Sequence, residues 1–304
     1  MRFGISIPQG VQGRFDADAF RAYVRRAEEL GFDSGWTQEQ VLTMADMPHV
    51  GAIETMTYAA ACTDRLRLGC SVFVAPLHNP VHLAKSLATL DYVSGGRLEV
   101  GVGTGGKHRM FSAFEVDPSR LVSRFTEEVR LLRELWTKDN VTFDGQFWQL
   151  AGATVDPKPA QPAGPPLWFG GSVPAALRRA VRHGDGFFGA GSTTTENFVR
   201  QLRTVREALD ETGRDPASFR LAKRIYFTID DDAARARRQV ATDLERLYGR
   251  PDLSAVAVAG TAEDVVAGAQ EIADTGVELI LFTPLSDEAG QMERVAAEVV
   301  PHVG

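Results

Sequence analysis

The sequence has few cysteines, no long apolar run and no basic tract, and each absence excludes a class of protein. Only Cys62 and Cys70 occur among its 304 residues, which excludes a disulfide-rich secreted scaffold. No apolar run reaches the roughly 18 residues that a transmembrane helix needs, so no membrane partner is expected. The formal net charge of -7 and the lack of a long Lys/Arg run predict no nucleic-acid partner.

The N-terminal residues 1–8 contain one basic residue and only a short apolar run, which is not the pattern of a signal peptide. We therefore expect a cytoplasmic protein in which both cysteines are unpaired, buried and structural. The composition, 44% hydrophobic and 24% charged, is that of a globular protein. Because α/β barrels of this length commonly run as one unit, residues 1–304 are predicted to form a single domain.

Short β-rich apolar runs alternate with longer segments of helical periodicity, the pattern of βα units around a parallel sheet. Eight runs are predicted as strands, at residues 3–8, 34–37, 66–74, 98–103, 167–170, 186–190, 221–229 and 278–283. Helices are predicted at residues 17–30, 54–62, 81–92, 119–136, 174–182, 195–212, 232–248, 262–274 and 287–300. Eight strands with intervening helices favour an α/β fold of the (β/α)8 TIM-barrel type. A doubly wound sheet is the weaker alternative, because no glycine-rich phosphate turn joins the first strand directly to a helix.

Residues 138–166 interrupt this alternation and are predicted to be an insertion between the fourth and fifth units. Residues 141–148 predict a β-hairpin about an Asp144-Gly145 turn, and a proline-rich connector follows. No repeat of fixed period occurs anywhere in the chain.

Glycine-rich segments follow the fourth, fifth and sixth predicted strands, at residues 101–109, 169–176 and 189–194. In a barrel these segments lie on the rim that carries the active site. The second leads into a helix with Pro174 in its first turn, where free amides suit a phosphate. Tight turns with solvated charges, or a capped helix without ligand, are the alternatives. Together the three segments predict a large flat ligand approached by backbone.

Two other patterns indicate a functional site less specifically than the glycine-rich segments do. His78 and His82 have no cysteine or carboxylate at ligand spacing, so they are interpreted as solvated or helix-facing and no metal is predicted. Lys223-Arg224 lies inside a predicted strand, where successive side chains point to opposite faces, so one cation should point into the barrel. Such a cation needs an anionic ligand or a carboxylate partner, for which Glu39 and Glu54 are candidates.

A long stretch of the chain resembles the luciferase-like flavin- and deazaflavin-dependent oxidoreductases. The most specific part is RLGCSVFVAPLHNPVHLAK at residues 67–85, continued by ATLD at 88–91, SGGR at 94–97 and GVGTG at 101–105. GFDS at 31–34, GDGF at 184–187 and the hairpin insertion also match. The resemblance implies a TIM barrel with the cofactor ring across its mouth and a phosphate held by the loops after the fifth and sixth strands.

Carried over position by position, the resemblance implies cofactor contacts at Glu39, Ser71, Val72, Val74, Thr104, Gly105, Arg109, Gly170, Gly171, Ser172, Val173, Ala175, Gly191 and Ser192. Deazaflavin members often have a non-prolyl cis peptide in the third strand, so a cis Ser71-Val72 bond within a bulge is predicted, with Cys70 buried beside it. Substrate contacts are predicted at Trp36, Phe73, Arg224 and Tyr226, with Trp168 as a further wall.

The chain also departs from the family pattern. Where many relatives read Asp-His after the second strand, it reads Gln38-Glu39-Gln40, and glutamine cannot exchange a proton at neutral pH. Gly106 stands where sugar-phosphate dehydrogenases of the family place an acid. A sugar-phosphate dehydrogenase of that type is therefore not expected. The catalytic candidates are Glu39, Gln40 in the histidine's place, and His108.

The leading hypothesis is a coenzyme F420-dependent oxidoreductase that passes a hydride between the deazaflavin and a small alcohol, carbonyl or activated alkene. The alternatives are an FMN-dependent monooxygenase, and a non-catalytic flavin-binding protein. Residues 107–109, Lys-His-Arg, could meet a polyglutamate tail and favour F420 over FMN. A separate flavin or F420 reductase is a possible partner. A homodimer is predicted through an apolar stripe of Leu83, Leu87, Leu90 and Val93.

Overall fold

The protein alternates strands and helices through most of its length. Its structure, a computed structural model, describes residues 1–11, 13–43, 48–106 and 111–304. In this part of the chain the strands are β1 (Arg2–Ser6), β2 (Ser34–Thr37), β3 (Arg67–Val74), β4 (Leu98–Gly103), β5 (Val141–Asp144), β6 (Gln149–Ala153), β7 (Leu167–Gly170), β8 (Gly186–Gly189), β9 (Arg220–Ile229), β10 (Ala257–Gly260) and β11 (Leu279–Pro284).

The helices are α1 (Ala17–Glu29), α2 (Ala52–Cys62), α3 (Pro80–Val93), α4 (Leu121–Thr137), α5 (Pro174–His183), α6 (Thr195–Thr212), α7 (Ala233–Tyr248), α8 (Ala262–Ala273) and α9 (Glu288–Glu298). Their ends follow local chemistry. The Asp16 carboxylate accepts N–H bonds from Asp18 and Ala19 and so begins α1. Gly213 ends α6 in the left-handed conformation at φ +64°, which glycine adopts without steric cost.

Eight parallel strands close into a barrel in the order β1-β2-β3-β4-β7-β8-β9-β11, and β11 pairs with β1. This confirms the predicted TIM barrel. One strand was not predicted: β10 pairs with the last four residues of β9, outside the barrel order. Its sequence, Ala-Val-Ala-Gly, is too short and too weakly apolar to be recognised as a strand.

The insertion forms the antiparallel hairpin β5–β6, but the predicted two-residue turn is wrong. Asp144 still pairs with Gln149, so residues 145–148 make a four-residue turn and the second strand begins only after Trp148. The Glu127 carboxylate on α4 accepts N–H bonds from residues 146, 147 and 148. An acidic side chain distant in sequence therefore stabilises this turn, which local turn preferences do not show.

The amino-terminal end of the barrel is closed by a buried ionic cluster. The Glu99 carboxylate accepts bonds from Arg2 at 2.6 Å, from Arg67 at 2.6 Å and from the Trp168 indole at 2.8 Å. Burial opposes ionisation, but the two guanidinium groups hold the pKa of Glu99 below its ordinary value. Trp168 thus belongs to the base of the barrel, so its predicted place as a substrate wall is wrong.

Two expectations about apolar side chains need correction. Cys70 is fully buried on β3, whereas Cys62 on α2 is only half-buried; both are free thiols. Leu83, Leu87 and Leu90 are buried in the core, while Val93 is 62% exposed. The stripe proposed for the dimer therefore packs against the barrel itself, and only its last member faces outward.

Candidate active site

A cavity of about 510 Å³ opens at the carboxyl ends of β1, β2, β9 and β11. This is the rim where TIM barrels place their active sites. The side chains that define its walls and floor include Gln9, Trp36, Gln38, Arg224, Tyr226 and Glu288. Three of the predicted substrate residues, Trp36, Arg224 and Tyr226, are thereby brought together. The fourth, Phe73, is fully buried on β3 and does not line this cavity.

Arg224 reaches across the barrel from β9 toward β3, the strand opposite it in the barrel order. Its guanidinium donates to Gln38 Oε1 at 3.2 Å, to the Ser71 carbonyl at 3.1 Å and to Ser71 Oγ at 2.9 Å. Its Nε is buried and has no hydrogen-bond partner within the described residues. The predicted carboxylate partners are wrong, because Glu39 bonds elsewhere and Glu54 is exposed on α2.

Lys223, the preceding residue, fixes a rim loop instead of binding a carboxylate. Its ammonium donates to the carbonyls of Ala190 at 2.6 Å, Thr193 at 3.0 Å and Arg224 at 2.9 Å. Burial, with a smaller contribution from Arg224, lowers the pKa of Lys223 to about 7. The loop after β8 is thus held by a lysine that loses its charge near neutral pH.

The Ser71-Val72 peptide is cis, as predicted, and the β3–β4 register shifts between Cys70 and Phe73. The Val72 methyl groups lie against three glycines of neighbouring strands. A Cβ added at Gly101, Gly103 or Gly170 would come within 3.1, 2.9 or 3.2 Å of a Val72 methyl carbon. Glycine at these positions therefore lets Val72 pack across β4 and β7, beside the mouth of the barrel.

Glu39, which follows β2, is bonded to residues that follow or end β3. One carboxylate oxygen accepts the Val74 N–H at 2.6 Å, and the other lies 2.8 Å from His78 Nε2. The side chains of Glu39 and His78 are 7% and 24% exposed. The interpretation of His78 as solvated or helix-facing is therefore wrong. The position of both residues after adjacent parallel strands is the sequence signal that could have paired them.

The segment from β7 into α5 presents backbone amides at the rim. Val173 is the N-cap of α5 and its side chain cannot accept a hydrogen bond, so no side chain in the described part of the chain caps the first turn. Ser172, Val173 and Ala175 are exposed. A Cβ at Gly171 would lie 2.8 Å from the Ala176 Cβ, so this position has no room for a side chain. This geometry suits an anion.

The loop after β8 adds a second side to this rim. A Cβ at Gly191 would lie 2.6 Å from the Tyr226 ring, so glycine allows the loop to lie flat on that ring. The Tyr226 hydroxyl is 2.8 Å from the Tyr248 hydroxyl. Burial, reinforced by Tyr226, raises the pKa of Tyr248, whose hydroxyl also bonds the exposed Ser192. Tyr226 is therefore held by a phenol pair and keeps its ring toward the cavity.

The remaining predicted residues are placed as follows. Gln40 is half-buried directly after Glu39, and Thr104, the first residue after β4, is also half-buried. Gly105 has φ +75°, and a Cβ there would lie 2.7 Å from Val74 Cγ1. Both the backbone conformation and the lack of space therefore favour glycine at this position. His108 and Arg109 lie outside the described residues.

Glu288, in the first turn of α9, is a functional candidate that the sequence did not indicate. It lines the cavity, and burial raises its pKa to about 6. A carboxyl group with such a pKa can exchange a proton near neutral pH. Its only sequence signal is its place just after the last barrel strand. Among residues 1–11, 13–43, 48–106 and 111–304, no group of three or more metal-ligating side chains is placed to hold a metal ion.

Residues 1–300 match the luciferase-like monooxygenase family. The chain belongs to this family. The predicted resemblance is thereby confirmed, and so is the prediction of an oxidoreductase at the level of the family. The curated relative named F420-dependent glucose-6-phosphate dehydrogenase from Kineococcus radiotolerans is 28% identical over 305 residues, which cover 91% of this chain and 90% of the relative.

Two solved structures share the fold over nearly their full length. The monooxygenase RslO1 from Streptomyces bottropensis has a TM-score of 0.84 and 25% identity, covering 99% of each chain. An F420-dependent secondary alcohol dehydrogenase, solved with an F420-acetone adduct, has a TM-score of 0.84 and 21% identity, covering 100% of this chain and 99% of that one. The second likeness shows the fold alone.

Proposed function

We propose that this family member is an F420-dependent oxidoreductase that transfers a hydride between the deazaflavin and a small alcohol, carbonyl compound or activated alkene. The observation that carries the proposal is the mouth cavity itself, which is lined by Arg224 and shares its rim with an uncapped helix terminus. The Arg224 Nε is buried and has no hydrogen-bond partner within the described residues. The curated relative's name supports F420 over other cofactors.

The residues present fit such a cofactor. The Ala175 amide and the amides just before α5, with the Ser172 side chain and the loop at Gly191 and Ser192, would hold its phosphate. Backbone at Thr104 and Gly105 and the Val72 side chain would support its ring, because glycine there leaves the surface flat. When bound, F420 supplies the carbon that accepts or gives a hydride.

The side chains around the cavity supply positioning and protons. Arg224 donates toward Gln38 and Ser71, and its Nε–H, which has no partner within the described residues, would donate to an oxygen of the bound ligand. The Glu39–His78 pair, which follows the ends of β2 and β3 and does not line the cavity, can hold a proton at His78 Nε2, and Glu288 in the lining can hold another at its carboxyl group. Many relatives have a histidine at the position of Gln40. Either group can take over its role, so the absence of that histidine does not prevent proton transfer.

We propose a substrate other than a sugar phosphate, although the relative acts on glucose 6-phosphate according to its name. Gln40 and Gly106 stand where the resemblance places a histidine and an acid in sugar-phosphate dehydrogenases. The cavity of about 510 Å³ with Trp36 and Tyr226 in its wall suits a compact, partly apolar molecule.

A second candidate is a monooxygenase that uses reduced FMN and dioxygen. The likeness to the monooxygenase RslO1 favours it, at 25% identity over 99% of the chain. The same amides at the α5 terminus would hold the FMN phosphate, so the site geometry supports both cofactors. The two candidates differ in what oxidises the reduced cofactor: an organic substrate in the first, and dioxygen in the second. An assay can distinguish these two oxidants.

We also propose a cytoplasmic homodimer that is supplied with reduced cofactor by a separate reductase. Val93 and Tyr92, 62% and 58% exposed at the end of α3, provide apolar contact area for a second copy. Within the described residues, no helix is both long and apolar enough to cross a membrane.

The test is an anaerobic assay of F420 absorbance with a panel of small alcohols and, in reverse, reduced F420 with the matching ketones and aldehydes. We expect at least one alcohol to reduce F420. When that alcohol carries deuterium at its carbinol carbon, the deuterium should be transferred to the cofactor. Reduced FMN consumed only with dioxygen and an oxygenated product would indicate the monooxygenase instead. Tight F420 binding without turnover would indicate a non-catalytic binding protein.

The same assay tests the proton-handling pair. Glu39→Gln keeps an acceptor for the Val74 N–H but removes the carboxylate beside His78. We expect turnover to fall about a hundredfold, within the range for loss of general acid–base catalysis, with cofactor affinity little changed. Glu54→Gln, on the exposed side of α2, is the control. Full activity in Glu39→Gln would remove the pair from the mechanism.

A further inference from the structure

A groove of about 560 Å³ lies on the outside of the barrel between α4 and α5, and arginines dominate its walls. Arg130 comes from α4, and Arg178, Arg179 and Arg182 come from α5. On α5 these positions share one helix face, because residues three and four apart are neighbours on a helix. The groove therefore presents a row of guanidinium groups along the helix.

Most of the positive charge on the groove's arginines is not neutralised by an ion pair within the described residues. Arg178 is paired with Glu211 at 3.2 Å, but in the described ranges Arg130, Arg179 and Arg182 have no ion pair with a carboxylate. The acid in the groove, Glu127, already accepts three backbone N–H bonds from the hairpin turn. The net charge of the groove is therefore positive on a protein whose formal net charge is -7.

Burial and this positive charge lower the pKa values of Arg179 and His183, which line the groove. Burial, then Arg182, lowers the pKa of Arg179. Burial lowers the pKa of His183, and Arg130, Arg179, Arg182 and Arg133 lower it further. Three arginines of the groove, together with Arg133 outside it, thus act on one histidine of the groove, so their positive fields overlap there.

The groove is continuous with the proposed phosphate site, because Ala175 belongs to both. From Ala175 the arginine face follows α5, a helix of 10 residues and therefore about 15 Å long. A chain that leaves the phosphate at the α5 terminus can enter the groove directly. A run of γ-linked glutamates, which carries one free carboxylate per residue, has the length and charge to follow this face.

We propose that the groove between α4 and α5 binds the oligoglutamate tail of F420, with Arg130, Arg179 and Arg182 as the carboxylate partners. This inference rests on the proposed function, and it places the tail on α5 instead of residues 107–109. Because exposed ion pairs are individually weak, three of them would together increase affinity only about tenfold at low salt.

The test compares F420 carrying several glutamates with its tail-free phospholactyl form, titrated by fluorescence at low and high salt. Wild-type protein is expected to bind the tailed form about tenfold more tightly at low salt and to lose most of this preference at high salt. The variant Arg179→Glu/Arg182→Glu should bind both forms equally. Arg179→Gln/Arg182→Gln provides a milder version, and Arg203→Glu/Arg206→Glu on α6 is the matched charge control.

The outcomes separate the inference from the function. Equal binding of both forms by wild type, or a preference that survives the α5 variants, would overturn the tail site while leaving the F420 function intact. A preference lost equally in the α6 control would show a general charge effect and would also overturn it. Failure of wild type to bind either form would contradict the proposed function itself.

Discussion

Replacing Ser172 by aspartate is expected to weaken cofactor binding about a hundredfold. The new carboxylate would lie at the amino terminus of α5, beside the backbone amides where the cofactor phosphate is proposed to bind. Two like charges about 4 Å apart repel by about 4 kcal/mol at an effective dielectric constant of about 20. Solvent screening at this exposed position would leave roughly 2–3 kcal/mol, which corresponds to about a hundredfold.

Ser172→Asn is the matched control, because it has nearly the same size as aspartate and carries no charge. We expect it to change affinity by only a few fold. Position 171 is less suitable for this test, since any side chain there would press on Ala176 and displace α5. If the aspartate variant bound F420 as tightly as the asparagine variant, the phosphate would have to bind elsewhere.

Lys223→Met is expected to change how stability depends on pH. In the folded protein the pKa of Lys223 is lowered from 10.5 to about 7, so between these values the unfolded chain binds more protons than the folded one. The free energy of unfolding of the wild type therefore rises with pH in this window, by up to about 1.4 kcal/mol per pH unit from this group. Methionine removes this contribution.

Denaturant unfolding from pH 6 to pH 10 measures the difference between wild type and Lys223→Met. Relative to the variant, the wild type should gain stability steadily above pH 7, and below pH 7 the difference should be constant. Lys85→Met on α3 controls for the loss of a lysine outside the barrel. A difference that does not change with pH would show that Lys223 keeps its charge in the folded protein.

The barrel and its rim were predictable because both leave local signals. Alternating apolar runs define the strands, and glycines after the fourth to sixth strands mark the places where backbone or Val72 packs closely. The hairpin turn and β10 were harder, since one is stabilised by the distant Glu127 and the other by pairing with an unusually long β9.

The partners of the charged residues could not be predicted from sequence. Glu39 was expected to pair with a cation of β9, but it bonds His78, which follows the adjacent strand β3. Arg224 of β9 instead reaches Gln38, the residue before Glu39. The Lys223 ammonium donates to three backbone carbonyls, and because every residue has a carbonyl, the sequence does not show which ones it will bond. Glu288 depends on burial in the folded protein for its raised pKa.

The central claim is that F420 is the cofactor held at the mouth of this barrel, and titration of the purified apoprotein with F420 and, separately, with FMN tests it most directly. Fluorescence of each cofactor reports binding without requiring the substrate. We predict micromolar or tighter binding of F420 and at least about tenfold weaker binding of FMN, a difference of about 1.4 kcal/mol. Micromolar binding of FMN with no measurable binding of F420 would contradict the account.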